Sequence, residues 1–315
     1  HNVNQLQISV EQYLDQSLRN TAQAVTCEGL EKLDPKRNYL FLSNHRDIVL
    51  DPAMCNYFLH DSGFDTCRIA IGDNLLKKPY SSHLMRLNKS FIVKRGIENR
   101  REKLAELIKL SAYIRHSINN DSQSAWIAHR EGRSKDGLDK TDTALLKMLN
   151  LSGGKELDFA NKSLDLHIVP VVVSYEWDPC DLMKARELAA LARHGSYDKS
   201  ELEDINSIAT SIQGQKGDVH VAFGDELTQG FENAEALADE VDRQIWSKYR
   251  IHASNLAAYR RQTGRLPEGL KIDDQAKLDK ADAELQGRLD QLDADEQEVL
   301  LSTYANAVHS RLSVS

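Results

Sequence analysis

The chain has 315 residues, 41% of them hydrophobic and 28% charged, and carries a net charge of −8 at pH 7. That is enough for one large domain, or a domain with an appendage, and no run approaches the roughly 20 apolar residues that cross a bilayer. Cys27, Cys55, Cys67 and Cys180 form no CxxC pair, which argues against zinc and against a disulfide framework in a chain this large; reduced, mostly buried thiols in a cytoplasmic protein are expected.

No basic-then-apolar leader opens the chain, which starts at His1; a trimmed or tagged start, or an anchor upstream of it, is compatible with that. The first predicted element is a buried strand over Tyr39–Leu42. A polar loop follows, and then a helix, with Asp51 read as its N-cap and Pro52 in its first turn. Strands are predicted at Arg68–Ile71 and Phe91–Val93. A helix comes next, with Leu104, Leu107, Ile108, Ser111, Ile114 and Ile118 on one face. Further strands are predicted at Ala125–Ala128, Ile168–Tyr175 and Val219–Phe223. Pro170 inside the Ile168–Tyr175 run marks an edge or a bulge and can shape a pocket wall. Leu182 to Ile212 is a helical insertion between two strands, and no strand is expected beyond Phe231.

Strands alternating with helices predict an α/β fold, a largely parallel or mixed sheet covered by helices. A boundary near Gly264–Gly269, with Pro267 inside it, divides a catalytic domain over 1–264 from an acidic helical C-terminal extension over 265–315. Charge follows the same division: Glu268–Glu298 holds 11 acids and 4 bases, whereas Lys77–Lys103 holds 9 bases and 2 acids. The basic stretch is either a solvated surface, a site for a phosphorylated substrate or a contact for anionic lipid headgroups. It lacks interleaved aromatics, which argues against nucleic acid.

Three predicted strands end in groups that carry chemistry, and strand ends are where α/β sheets present reactive residues. The first loop reads Ser43-Asn44-His45-Arg46-Asp47-Ile48-Val49-Leu50-Asp51-Pro52. A histidine with a carboxylate partner makes a hydroxyl nucleophilic near neutral pH, and either Asp47 or Asp51 can be that partner. The plainer reading is a helix cap and a histidine bound to a loop carbonyl. His45-Arg46-Asp47 also spells the kinase HRD, but no glycine-rich loop precedes it and no DFG follows. A metal site on His45, Asp47 and Asp51 has no second histidine pair nearby. The second loop, Lys94-Arg95-Gly96, suits a phosphate, because arginine offers a forked donor and the glycine admits a ligand. The third reads His129-Arg130-Glu131-Gly132-Arg133-Ser134-Lys135-Asp136-Gly137, where Glu131 can pair with Arg95 and hold the cations in place.

In order and content these blocks resemble the glycerolipid acyltransferase family, which includes glycerol-3-phosphate and 1-acylglycerol-3-phosphate acyltransferases. That family has Asn-His-x4-Asp, a strand ending in Arg, Glu-Gly-Thr-Arg-Ser, and an apolar block with Pro. Here they correspond to Asn44-His45 through Asp51, Arg95, Glu131-Gly132-Arg133-Ser134, and Val169-Pro170-Val171, within a resemblance covering 39–227. Two departures stand out: five residues rather than four separate His45 from Asp51, and the Thr of the third block is missing.

The resemblance implies an O-acyltransferase moving a fatty acyl group from acyl-CoA or acyl carrier protein, as co-substrate, to a phosphorylated glycerolipid such as 1-acylglycerol-3-phosphate. It implies His45 as general base and Asp51 as its orienting carboxylate. Lys94, Arg95, Glu131, Gly132, Arg133 and Ser134 fall to substrate binding, with no cofactor, no metal and no nucleic acid. Peripheral attachment to the inner face of the membrane is expected, since acceptor and product are amphiphiles. A non-catalytic lipid or acyl-carrier binding protein and an acyl-thioester hydrolase are the alternatives.

Overall fold

A computed structural model of the chain describes residues 13–73, 89–154, 156–200, 202–270 and 274–314. Lys77, Lys78 and Arg86 of the basic stretch, and Lys271 and Asp273 of the acidic one, lie outside them.

The strands are β1 (Ala22–Glu28), β2 (Leu40–Ser43), β3 (Arg68–Gly72), β4 (Ser90–Val93), β5 (Ala125–Ala128), β6 (Ile168–Tyr175) and β7 (Gly217–Phe223). They form a seven-stranded sheet in the order β1-β7-β6-β2-β5-β3-β4. All neighbouring pairs are parallel except β6 with β7, so the sheet is mixed. The helices are α1 (Leu50–Asp61), α2 (Arg100–Asn119), α3 (Thr143–Leu149), α4 (Phe159–Leu164), α5 (Asp181–His194), α6 (Glu203–Gln213), α7 (Ala234–Lys248), α8 (Ala253–Thr263), α9 (Gln275–Leu289) and α10 (Ala294–Ser313). Residues 13–21 are helical as well.

The central strands β2 and β6 are buried at every position. Their alternate residues feed two cores, as the period of two requires. Phe41, Val169, Val171 and Val173 pack on one face with Leu50, Met54, Cys55 and Leu59 of α1. Leu40, Leu42, Ile168 and Val172 pack on the other with Leu110 and Ile114 of α2, Leu146 of α3, and Val241 and Ile245 of α7. Each fully buried side chain of this size contributes about 1.5–3 kcal/mol, so the three layers hold β2 rigidly between its neighbours. A third core joins Trp177 and Ala185 to Leu256 of α8, Leu278 and Leu285 of α9, and Leu300, Tyr304 and Val308 of α10. Helices on both sides of residue 264 share it.

Three expectations differ from what is seen. Pro170 is in an interior strand rather than at an edge. Its missing N–H is tolerated because the β7 ladder starts one residue later, at Val171 opposite Phe223, and Gly224 N donates to the Pro170 carbonyl at 2.7 Å. On α2, Leu104 and Ile108 are exposed, and Leu110, Ile114 and Ile118 carry the packing. The N-terminus of α1 is capped by Asp47, not Asp51: Asp47 Oδ1 accepts from the amides of Val49 at 2.9 Å and Leu50 at 2.7 Å. Asp51 sits inside the first turn, leaving its carboxylate free to reach back to the preceding loop.

Candidate active site

Parallel pairing brings the three loops to one edge of the sheet. Ser43 at the end of β2 registers with Ala128 at the end of β5 and with Val171 of β6, and Gly72 registers with Val93 of β4. The chain therefore leaves β2, β5 and β4 on the same side, carrying His45, Glu131-Gly132-Arg133 and Lys94-Arg95 towards one another.

His45 Nδ1 lies 2.9 Å from Asp51 Oδ2. The same oxygen accepts from the amides of Arg46 at 2.6 Å and Asp47 at 2.8 Å. The other oxygen accepts from Tyr175 Oη at 2.8 Å. Asp51 is fully buried, and four donors meet its charge, which is what a buried carboxylate requires. Burial first, and then the Asp51 charge, push the Tyr175 phenol well above its ordinary range, so it remains a donor. The imidazole also meets Trp126 edge to face, with centroids 5.7 Å apart. With Nδ1 engaged, Nε2 is the nitrogen left for a ligand.

The loop around His45 is braced from beneath. Asn44 exchanges two hydrogen bonds with Val173 of β6, at 2.8 and 3.1 Å, and donates to Asp139 at 3.0 Å. Arg46 donates to Asp139 at 2.6 Å and to the Gly137 carbonyl at 3.1 Å. Burial alone would raise the Asp139 carboxyl, but Arg46, His129 and the Asn44 hydrogen bond together hold it below the usual range. Ser134 N donates to the His45 carbonyl at 2.6 Å, tying the first loop to the third.

A cavity of about 950 Å³ opens above these loops. Ile69, Ile71, Phe91, Leu110, Trp126 and Met148 make it apolar on one side, while His45, Arg95, Glu131, Gly132 and Arg133 line the polar side. Eight lysines and arginines but five acids line it, a positive excess in a chain of net charge −8. Arg95 Nε lies 3.4 Å from Glu131 Oε1, the pairing expected of them. Lys94 pairs with Glu106 of α2 at 3.2 Å, and Arg133 donates to Ser207 of α6 at 2.7 Å. Gly132, at φ 77°, takes a backbone conformation that other residues adopt with strain. Ser134 does not line the cavity; it is buried, and its hydroxyl stays within the loop, on Asp136 and the Leu138 carbonyl. The Val169-Pro170-Val171 block does not line it either. Among the described residues, no group of three or more His, Cys, Asp or Glu is placed to hold a metal ion.

Some of what surrounds His45 carries no local signal in the sequence. Tyr175 offers the clearest hint, as a residue with a polar tip closing a run that is otherwise apolar but for Ser174. Lys184 of α5, whose ammonium donates to the Arg46 carbonyl at 2.7 Å, offers none, being 138 residues away from it.

A half-buried histidine held by a fully buried aspartate thus sits at one edge of the mixed sheet, facing a half-apolar cavity. Residues 24–174 match the family model described as acyltransferase, a stretch that runs from within β1 to the last but one residue of β6 and holds all three loops. That stretch is an acyltransferase domain. No curated protein sequence matches it. Among solved structures, it is similar to that of the 1-acyl-sn-glycerophosphate (LPA) acyltransferase PlsC from Thermotoga maritima, at 15% identity and a TM-score of 0.44, with 76% of each chain covered. Among the described residues no helix is long and apolar enough to cross a membrane.

Proposed function

We propose that the protein moves a fatty acyl group from the thioester of coenzyme A or of acyl carrier protein to the hydroxyl of a phosphorylated glycerolipid acceptor. The observation that carries this reading is the His45–Asp51 contact of 2.9 Å beside a cavity that is apolar on one side and basic on the other. His45 Nε2 takes the proton of the acceptor hydroxyl as its oxygen attacks the thioester carbonyl. The tetrahedral adduct collapses, the thiolate leaves, and the imidazolium returns the proton to sulfur. Asp51 fixes the imidazole tautomer and stabilises the imidazolium. Backbone N–H groups near Gly132 are the donors proposed for the oxyanion. Arg95 and Arg133, supported by Lys94, bind the acceptor phosphate, and Glu131 positions Arg95. The apolar wall takes the acyl chain. The protein works at the inner face of the membrane as a peripheral enzyme, since its acceptor is an amphiphile.

Thiol release from palmitoyl-CoA, followed with and without 1-acylglycerol-3-phosphate, tests the reading. Acceptor-dependent release, lost in His45→Ala, is expected. Release that ignores the acceptor would mark a hydrolase, and a folded His45→Ala with wild-type turnover would refute the mechanism.

A further inference from the structure

The hairpin of α5 and α6 follows residue 174 and so lies outside the stretch matched by the acyltransferase family. It nevertheless reaches the His45 loop. We infer that Lys184 of α5 is a positioning residue for the His45–Asp51 pair, acting through a single peptide group; the inference rests on the proposed role of that pair.

The geometry is a chain of hydrogen bonds. The Lys184 ammonium donates to the carbonyl of Arg46 at 2.7 Å. That carbonyl belongs to the same peptide group as the amide of Asp47, which donates to Asp51 Oδ2 at 2.8 Å. Asp51 Oδ2 is the oxygen on His45 Nδ1. A cation on the carbonyl side of a peptide group polarises it and strengthens the N–H donor on its other side, more so where water is excluded. Lys184 is 2% exposed. Its charge is balanced by Asp178, which it also contacts, and Lys184 in turn holds the Asp178 carboxyl low against the effect of burial. A buried lysine is costly unless paired; its position over this peptide gives it work beyond packing. The same hairpin grips the loop a second time, since Ser211 of α6 donates to Asp47 Oδ2. Here the loop between His45 and the acidic residue has five residues, and the hairpin fixes the peptide between Arg46 and Asp47 within it.

Lys184→Met alone would strand Asp178, so the primary variant is Lys184→Met/Asp178→Asn, which removes both charges and keeps the acceptor that Asp178 offers to Cys180 N. Asp178→Asn alone is the control. Two readouts are taken. The first is the downfield proton resonance of His45 Nδ1–H, assigned by its loss in His45→Ala; it needs no substrate. In the double variant it is expected to move or broaden, and in Asp178→Asn to stay. The second is steady-state kinetics with palmitoyl-CoA and 1-acylglycerol-3-phosphate. A fall in kcat of about tenfold is expected, with both KM values within about twofold, because a charge-assisted bond is lost one step from the catalytic pair. Lys184→Gln/Asp178→Asn, which removes both charges but keeps a neutral donor and acceptor in place, offers a second route should the first double variant not fold. An unchanged resonance with wild-type kcat in a folded variant would overturn the inference. Its failure is separable from that of the functional reading, which falls if His45→Ala is itself fully active.

Discussion

Asp47 and Asp51 are buried carboxylates within one helical turn of each other, yet the structure gives them opposite duties, and replacing each by asparagine separates them. In Asp51→Asn the amide oxygen can keep the place of Oδ2, accepting from His45 and the amides of Arg46 and Asp47, while Tyr175 turns its hydroxyl to accept from the new NH2. Shape and tautomer survive; the charge that stabilises the imidazolium does not. Charge-assisted hydrogen bonds are worth about 1.5–3 kcal/mol, so a loss in kcat of about tenfold to a hundredfold is expected, with modest change in either KM. Asp47→Asn retains the cap, since asparagine is as good an N-cap as aspartate. Burial, and then the neighbouring Asp51 charge, already push the Asp47 carboxyl up. A carboxyl raised in the folded state costs stability once it ionises, so above its folded pKa the asparagine variant should be as stable as wild type or more so. Steady-state kinetics of both variants at pH 7.5, with melting temperatures measured alongside, decide the matter. Equal losses in kcat, or a greater loss in Asp47→Asn, would refute the assignment of Asp51 as the orienting carboxylate.

Arg95→Ala and Arg133→Ala should each raise KM for a phosphorylated acceptor about tenfold to a hundredfold, with KM for the acyl donor little changed and lysine restoring only part; an unchanged acceptor KM in both removes their phosphate-binding role. Acid should destabilise the fold through two buried histidines. Burial lowers His129 and His252 to about 4, so the stability that each contributes is complete above the unfolded value of about 6.5 and is lost as pH falls towards 4, about 3 kcal/mol apiece. Urea midpoints measured from pH 7 to 4 should fall, and less steeply in His129→Gln; an identical slope would show that His129 is not the group responsible. Gly137→Ala should lower the melting temperature by several degrees, because a Cβ there overlaps the Thr303 carbonyl of α10 and the backbone sits at φ 76°; a variant as stable as wild type would mean that α10 shifts freely.

The strands that place the site were legible because they are buried on both faces, so their sequences are apolar runs with abrupt polar ends, as at Leu42 to Asn44 and at Ala128 to Arg130. β1 was not. It is an edge strand, half-buried at most, and its Ala-Gln-Ala-Val-Thr-Cys-Glu sequence shows no clear period. The spacing around His45 puts two carboxylates within reach of a turn but leaves open whether either meets it and which; the answer depends on which of them caps α1. Of the third-loop residues that the resemblance gives to substrate binding, Glu131, Gly132 and Arg133 line the cavity, whereas Ser134 turns inward to fasten the loop. What remained hidden is tertiary: Lys184, Ser207 and Ser211 reach the site across more than 70 residues of sequence, and nothing in their neighbours announces it.

The contact between the third loop and α10 also orders events in time. Gly137 lies flat against the Thr303 carbonyl, Thr303 Oγ1 donates to the Lys135 carbonyl at 3.0 Å, and Asn306 donates to the Asp136 carbonyl at 2.7 Å. The loop that carries Glu131 and Arg133 therefore takes its support from residues synthesised more than 160 positions later. On the ribosome, where chains grow at about 5–20 residues per second, the sheet can close well before α10 emerges, and for that interval the third loop lacks its outer wall. The nascent chain would hold a formed histidine–aspartate pair beside a cavity whose third loop is still unsupported, and its last helix would complete that wall.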